Sequence, residues 1–157
     1  MPKKLKLDSN FDNDYTLLGI ASHHRDYRLI WALNEKMQLR MSKMDNLKVF
    51  NDKKNELQEF SLYYFDEPQT FKSYYFITNL GEQGFLFPEY KQMNFFLLIK
   101  GNVTEAIKNE MVKDIYSLGI VLTVHTITLS TIKSINNFFS DLELHMLDIG
   151  KKTKEKK

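Results

Sequence analysis

An α+β domain, a largely antiparallel β-sheet with two or three helices packed mainly on one face, is what three features of the sequence predict. Apolar residues recur at helical spacing in three separated segments. Alternating or β-branched runs fill the intervening stretches, and those in the middle of the chain follow one another as hairpins rather than alternating with helices. A length of 157 residues, 43% of them hydrophobic with 6 Gly and 3 Pro, suits one folded core. The domain is expected over residues 1–140, with 141–157 a C-terminal extension ending in a Lys-rich, disordered tail.

Asp8 to Asp14, Asp-Ser-Asn-Phe-Asp-Asn-Asp, is dense in residues whose side chains satisfy backbone groups, and reads as a loop. Tyr15 to Ala21 is largely apolar and reads as a strand, with an extra helical turn as the alternative. Ser22 can then cap a helix from His23 to about Met37, in which Tyr27, Ile30, Trp31, Leu33, Asn34 and Met37 form one stripe. Leu39, Met41, Leu47 and Val49 alternate with polar residues across a turn at Met44-Asp45-Asn46. A hairpin follows from about Leu57 to Thr78, broken at Asp66-Glu67-Pro68-Gln69. Asn79, Gly81 and Gly84 punctuate the next turn. Met93 to Ile99 is apolar except at Asn94, the pattern of a central strand covered on both faces. Val103 to Leu118 repeats at helical spacing until Gly119 stops it. Ile120 to Leu129 is β-branched and reads as a strand. A last helix starts near Ser130 or Thr131 and includes Ile132, Ile135 and Phe139.

At Phe87-Pro88-Glu89-Tyr90-Lys91-Gln92-Met93-Asn94-Phe95 the chain resembles the signature of the bacterial IPExxxVDY family. Pro88 and Glu89 stand unchanged; Phe87 takes the place of Ile, Met93 of Val, Asn94 of Asp and Phe95 of Tyr. Asp26-Tyr27-Arg28-Leu29 with Trp31, Leu33 and Asn34, and the N-terminal Lys-Leu-Lys-Leu-Asp, are also similar to that family, so the resemblance covers roughly residues 3–138. It implies no activity, cofactor or partner. Asn94 lacks the carboxylate and Phe95 the hydroxyl, so neither an acid nor a phenolic donor is available at those places. Physically, Pro88 suits an edge or a turn. Glu89 can accept hydrogen bonds from loop amides there and fix the approach into the strand that follows. A catalytic Glu89 needs a second titratable group beside it, and Arg28 and His125 are the candidates for such a pocket.

Charge is unevenly placed. The net +2 resolves into an acidic body between Lys3, Lys4 and Lys6 and the tail Lys151-Lys152-Thr153-Lys154-Glu155-Lys156-Lys157. Clustered terminal lysines can meet phosphates or an anionic membrane, but nucleic-acid proteins spread cations over a folded face, so nucleic acid is not the expected partner. Absence of Cys removes thiolate chemistry and Cys-ligated metals and permits a cytoplasmic location. No secretory leader is read at the N-terminus. The apolar run Phe95 to Ile99 is far short of the about 20 residues that span a bilayer.

No cofactor and no metal site are expected. His23, His24 and Asp26 carry ligand-type side chains, but neighbours on a helix point about 100° apart and do not converge on one ion. Asp8, Asn10, Asp12 and Asp14 mimic a calcium loop, yet its sixth and twelfth positions are Asn13 and Gly19 rather than Gly and Glu. Phosphate-loop and nucleophile-elbow patterns do not occur. Aromatic residues reach 13%. Tyr63, Tyr64, Tyr74 and Tyr75 fall on neighbouring strands, so each adjacent pair puts one ring on each face, and an exposed Tyr stripe is expected as cross-strand packing or a protein interface. The leading expectation is a non-enzymatic binding or scaffolding domain with a protein partner or a second copy. The alternative is a small-ligand pocket or enzyme built on Glu89 with Arg28 or His125; a weaker one is nucleic-acid or membrane contact through the tail.

Overall fold

The computed structural model describes residues 14–51 and 54–155, with only the backbone given for 152–155. The charge cluster at Lys3, Lys4 and Lys6, the loop up to Asn13 with its calcium-like spacing, and the tail side chains beyond Lys151 lie outside the described residues. The chain runs β1 (Tyr15–Ala21), α1 (Asp26–Met37), β2 (Ser42–Asn51), β3 (Glu56–Glu67), β4 (Lys72–Thr78), β5 (Leu80–Gly81), β6 (Gly84–Phe85), β7 (Phe95–Lys100), α2 (Glu105–Tyr116), β8 (Thr123–Ile127) and α3 (Ile135–Glu155). Single 3₁₀ turns stand at Pro88–Tyr90 and Leu129–Thr131.

Six strands form one sheet in the order β2-β3-β4-β7-β1-β8, every neighbouring pair antiparallel. The α+β expectation is met. β7 lies inside the sheet between β4 and β1, and Phe95 to Ile99 are all buried. This is why its sequence is continuously apolar instead of alternating. Tyr15–Ala21 is a strand, because its backbone pairs with β7 on one side and β8 on the other.

Each face of the sheet carries its own apolar layer. Leu29, Ile30 and Leu33 of α1 and Met111 and Ile115 of α2 pack with Leu18, Phe76 and Leu97 on one face. Ile135, Phe138, Phe139 and Leu142 of α3 pack with Leu17, Leu62, Phe96 and Leu98 on the other. Two of the three helices thus share a face, and the third covers its reverse.

Four local expectations are corrected. Met44-Asp45-Asn46 is no turn: β2 runs through it, and a β-bulge between Met44 and Leu47 absorbs the shift in register. Ser22 does not cap α1, which begins after Arg25. The Ser22 hydroxyl is buried, donating to the Ile120 carbonyl at 2.6 Å and accepting from the His24 amide at 3.1 Å. On α1 the buried residues are Leu29, Ile30 and Leu33; Tyr27 and Trp31 face solvent. Asn34, expected in the stripe, clamps Met41 by donating to its carbonyl and accepting from its amide, both at 3.0 Å. Finally, Ser130 and Thr131 belong to a 3₁₀ turn, and α3 runs from Ile135 to Glu155. The expected boundary at 140 therefore falls inside a continuous helix whose Leu142 is in the core. Among the described residues no helix is long and apolar enough to cross a membrane.

Candidate functional site

The segment between β4 and β7 holds the Pro-Glu turn, and one buried side chain organises it. Asn79 is wholly excluded from solvent. Its Oδ1 accepts from the Phe87 amide at 2.8 Å, while its Nδ2 donates to the carbonyls of Tyr90 and Met93, both at 2.9 Å. The partners fix the amide's orientation, since one is a donor and two are acceptors. Its backbone joins in: the Asn79 amide donates to the Asn94 carbonyl and its carbonyl accepts from Leu86. Asn79 is thus more than the turn former its sequence context suggests.

The motif residues then take distinct structural parts. Phe87 is buried and meets Phe96 and Phe138 edge-on at 5.0 Å each, tying the turn to β7 and α3. Pro88 opens the 3₁₀ turn, where its missing N–H costs nothing. Glu89 Oε2 accepts from the Lys133 amide at 2.7 Å, just ahead of α3. Beside it the Tyr90 hydroxyl donates at 2.5 Å to Thr131 Oγ1, whose own proton goes to the Thr128 carbonyl. Met93 is buried against Gly19, where a Cβ would lie 2.8 Å from its Cγ. Asn94 Oδ1 accepts from the Ser22 amide at 2.8 Å. A carboxylate would serve that bond equally, since only an acceptor is used. Phe95 is buried and stacks on Phe76 at 5.1 Å, with no place that calls for a hydroxyl.

Glu89 opens onto a groove of about 600 Å³. One wall is the far end of β2 and β3, with Val49, Phe50 and Gln58. A second is the Pro-Glu turn, with Leu86, Glu89 and Lys91. The third is the approach to α3, with Lys133, Asn137 and Phe138. Neither Arg28 nor His125 lines it. Arg28 is exposed on α1, which packs on the opposite face of the sheet from α3, and His125 is exposed on the edge strand β8, its Nε2 3.1 Å from Thr123 Oγ1. The expected pocket of Glu89 with either residue is therefore not assembled: the sheet separates Glu89 from Arg28, and His125 lies off the groove. Of His23, His24 and Asp26, the two imidazoles are exposed, and Asp26 Oδ1 accepts from the Tyr27 amide at 2.8 Å. Among the described residues no cluster of three ligand-type side chains stands ready for a metal.

The four tyrosines alternate between faces as expected. Tyr63 and Tyr74 point into the α1–α2 layer, and Tyr64 and Tyr75 towards α3. The exposed stripe is absent, because helices cover both faces: Tyr63, Tyr74 and Tyr75 retain 8%, 4% and 6% of their surface and Tyr64 is half-buried. Cross-strand packing accounts for them, with Tyr64 and Tyr75 5.0 Å apart and Phe65 stacked on Tyr74 at 6.3 Å. Burial, the charge of Asp26 and a hydrogen bond to it push the Tyr63 phenol up to about 12. Burial, the charge of Glu67 and a bond to it do the same for Tyr74.

The exposed aromatic surface lies elsewhere. Tyr27 and Trp31, the chain's only tryptophan, stand one turn apart on the outer side of α1 with 64% and 68% of their surface free. Arg25 and Arg28 flank them, and among the described residues neither guanidinium pairs with a carboxylate: the one ion pair there joins Lys108 to Glu105 at 2.8 Å. Sequence periodicity hid this face, because large aromatics at helical spacing suggest core. Compared with the models of known protein families and with curated proteins, the chain matches none.

Proposed function

We propose that the protein is a non-enzymatic, cytoplasmic binding domain that engages a protein partner through the outer face of α1. The observation that carries this reading is the exposed pair Tyr27 and Trp31 beside two arginines that form no ion pair among the described residues. Trp, Tyr and Arg dominate the energetics of protein interfaces, and a single anchor of this kind is worth about 2 kcal/mol or more. The face is also held rigidly. Asp26 at the start of α1 accepts the Tyr63 hydroxyl, and Asn34 near its end clamps Met41, so the helix backbone that carries the face is tied down at both ends before a partner arrives. The complementary surface is an apolar patch bordered by carboxylates.

Leu29, Ile30 and Leu33 hold the helix to the sheet, so the outer residues can be removed without loss of the fold. Tyr27→Ala/Trp31→Ala is expected to unfold in urea within about 0.5 kcal/mol of the wild type. Proteins captured by the wild type should be lost, with affinity reduced about 30-fold or more. A second copy as partner would appear in light scattering as a wild-type dimer that the double variant abolishes. Equal affinity of the double variant for the same partner would overturn the reading.

The same proposal includes membership of the IPExxxVDY family. Its support is that the altered motif positions keep what their surroundings use: an acceptor at Asn94 and apolar bulk at Phe87, Met93 and Phe95.

A further inference from the structure

The groove beside the Pro-Glu turn has the chemistry of a small-molecule site, independent of the α1 face. Its volume of about 600 Å³ lies within the range of natural ligand pockets, about 300–1,000 Å³. Phe50, Leu86 and Phe138 supply apolar walls. The polar groups are biased towards donors. Gln58 is 96% buried, the complement of its 4% exposure. Its Oε1 accepts from Asn51 at a long 3.5 Å, and its Nε2 donates to nothing among the described residues. That donor is not sealed in, since Asn136 Oδ1 is the one fully enclosed side-chain atom without a partner among the described residues; it opens to the groove and is free to meet a ligand acceptor. Gly84, at φ +142, leaves the space beside that amide open: a Cβ there would crowd Lys54 Nζ at 3.3 Å and Gln58 Nε2 at 3.4 Å.

Charge points the same way. Lys91 and Lys133 border the groove, and among the described residues neither ammonium has a carboxylate or hydrogen-bond partner. The one carboxylate present, Glu89, already accepts the Lys133 amide. We propose that the groove binds an amphiphilic monoanion, a carboxylate carried on an apolar chain or ring. The carboxylate would sit between Lys91, Lys133 and the Gln58 amide, with its body against Phe50, Leu86 and Phe138.

Titration of the full chain with decanoate, followed by calorimetry and by the NMR signals of side-chain amides, tests this. One molecule should bind per chain with a dissociation constant of about 0.1 mM or tighter, and the Gln58 side-chain amide should shift. Decanol, with the same chain and no charge, should bind about tenfold more weakly, as should decanoate to Lys91→Gln/Lys133→Gln. Glu89→Gln, which keeps the acceptor and removes a like charge, should bind as tightly or more so. Naphthoate distinguishes a ring-shaped from a chain-shaped body: the tighter of the two names the natural class. No saturation by about 1 mM, equal binding of decanol, an unchanged affinity in the double lysine variant, or shifts that miss Gln58 would each overturn the proposal. Because none of these residues lies on α1, failure here leaves the protein-binding reading untouched.

Discussion

Asn79 shows how much of this fold can rest on one amide. It satisfies the Phe87 amide and two carbonyls from a fully buried position, so truncation removes the partner of all three. Each stranded group costs about 1–3 kcal/mol, and Asn79→Ala should lose about 3–5 kcal/mol, measured as a fall in urea midpoint at unchanged slope. Asn79→Asp should fare no better at neutral pH, because it removes the donor and sets a buried negative charge against the Tyr90 and Met93 carbonyls. A loss below about 1 kcal/mol in either variant would show that the turn holds its shape by packing alone. None of this was legible beforehand. In sequence Asn79 is an ordinary turn residue before two glycines, and its partners lie 8 to 14 positions away in a segment with no periodicity.

At the scale of the element, legibility followed how regular the local pattern is. β7 was readable from its apolar run, and the β3–β4 hairpin from alternation broken at Pro68, because burial acts directly on residue type. The bulge at Met44 to Leu47 mimicked a turn, since a slip in register interrupts alternation as a turn does. The start of α3 was misplaced because Ser130 and Thr131 are good caps, yet the cap-like contact comes from a distant part of the chain. Glu89, 44 residues away, accepts the Lys133 amide and joins the Pro-Glu turn to the approach of that helix. This role needs an acceptor rather than a proton donor, so two substitutions separate it from catalysis. Glu89→Ala should cost about 1 kcal/mol, while Glu89→Gln, which keeps a carbonyl oxygen in place, should stay within about 0.5 kcal/mol of the wild type. Equal losses in both variants would mean that the charge, and not the hydrogen bond, is what the fold uses.

For the whole molecule, the decisive fact is that helices cover both faces of the sheet. The aromatic surplus that suggested an exposed stripe is mostly spent inside, and face coverage is a tertiary outcome that alternation along a strand does not encode. It leaves a signature in alkaline solution. Tyr15, Tyr63 and Tyr74 are each pushed up to about 12, foremost by burial and then by the nearby carboxylates Glu143, Asp26 and Glu67 respectively; Tyr64 and Tyr75 are also raised by burial. In the unfolded chain a phenol releases its proton near pH 10. Below that value both states are protonated and these groups give no pH dependence. Above it the unfolded chain holds fewer protons than the native one, so stability falls as pH rises, by up to about 1.4 kcal/mol per pH unit for each tyrosine. Three such groups give at most about 4 kcal/mol per unit, and about 8 kcal/mol in all before the native phenols themselves titrate near pH 12, enough to unfold a domain in the lower part of the typical stability range of about 5–15 kcal/mol. The part of the tyrosinate absorbance that these buried phenols contribute should therefore change together with circular dichroism, in one steep transition that releases more than two protons. In Tyr63→Phe/Tyr74→Phe the transition should become shallower and move to higher pH, because two groups that drive it are gone. If the part of the tyrosinate absorbance that Tyr63→Phe/Tyr74→Phe removes rises gradually from pH 10 while the fold persists, these phenols reach water in the native state and the two layers are looser than their packing indicates.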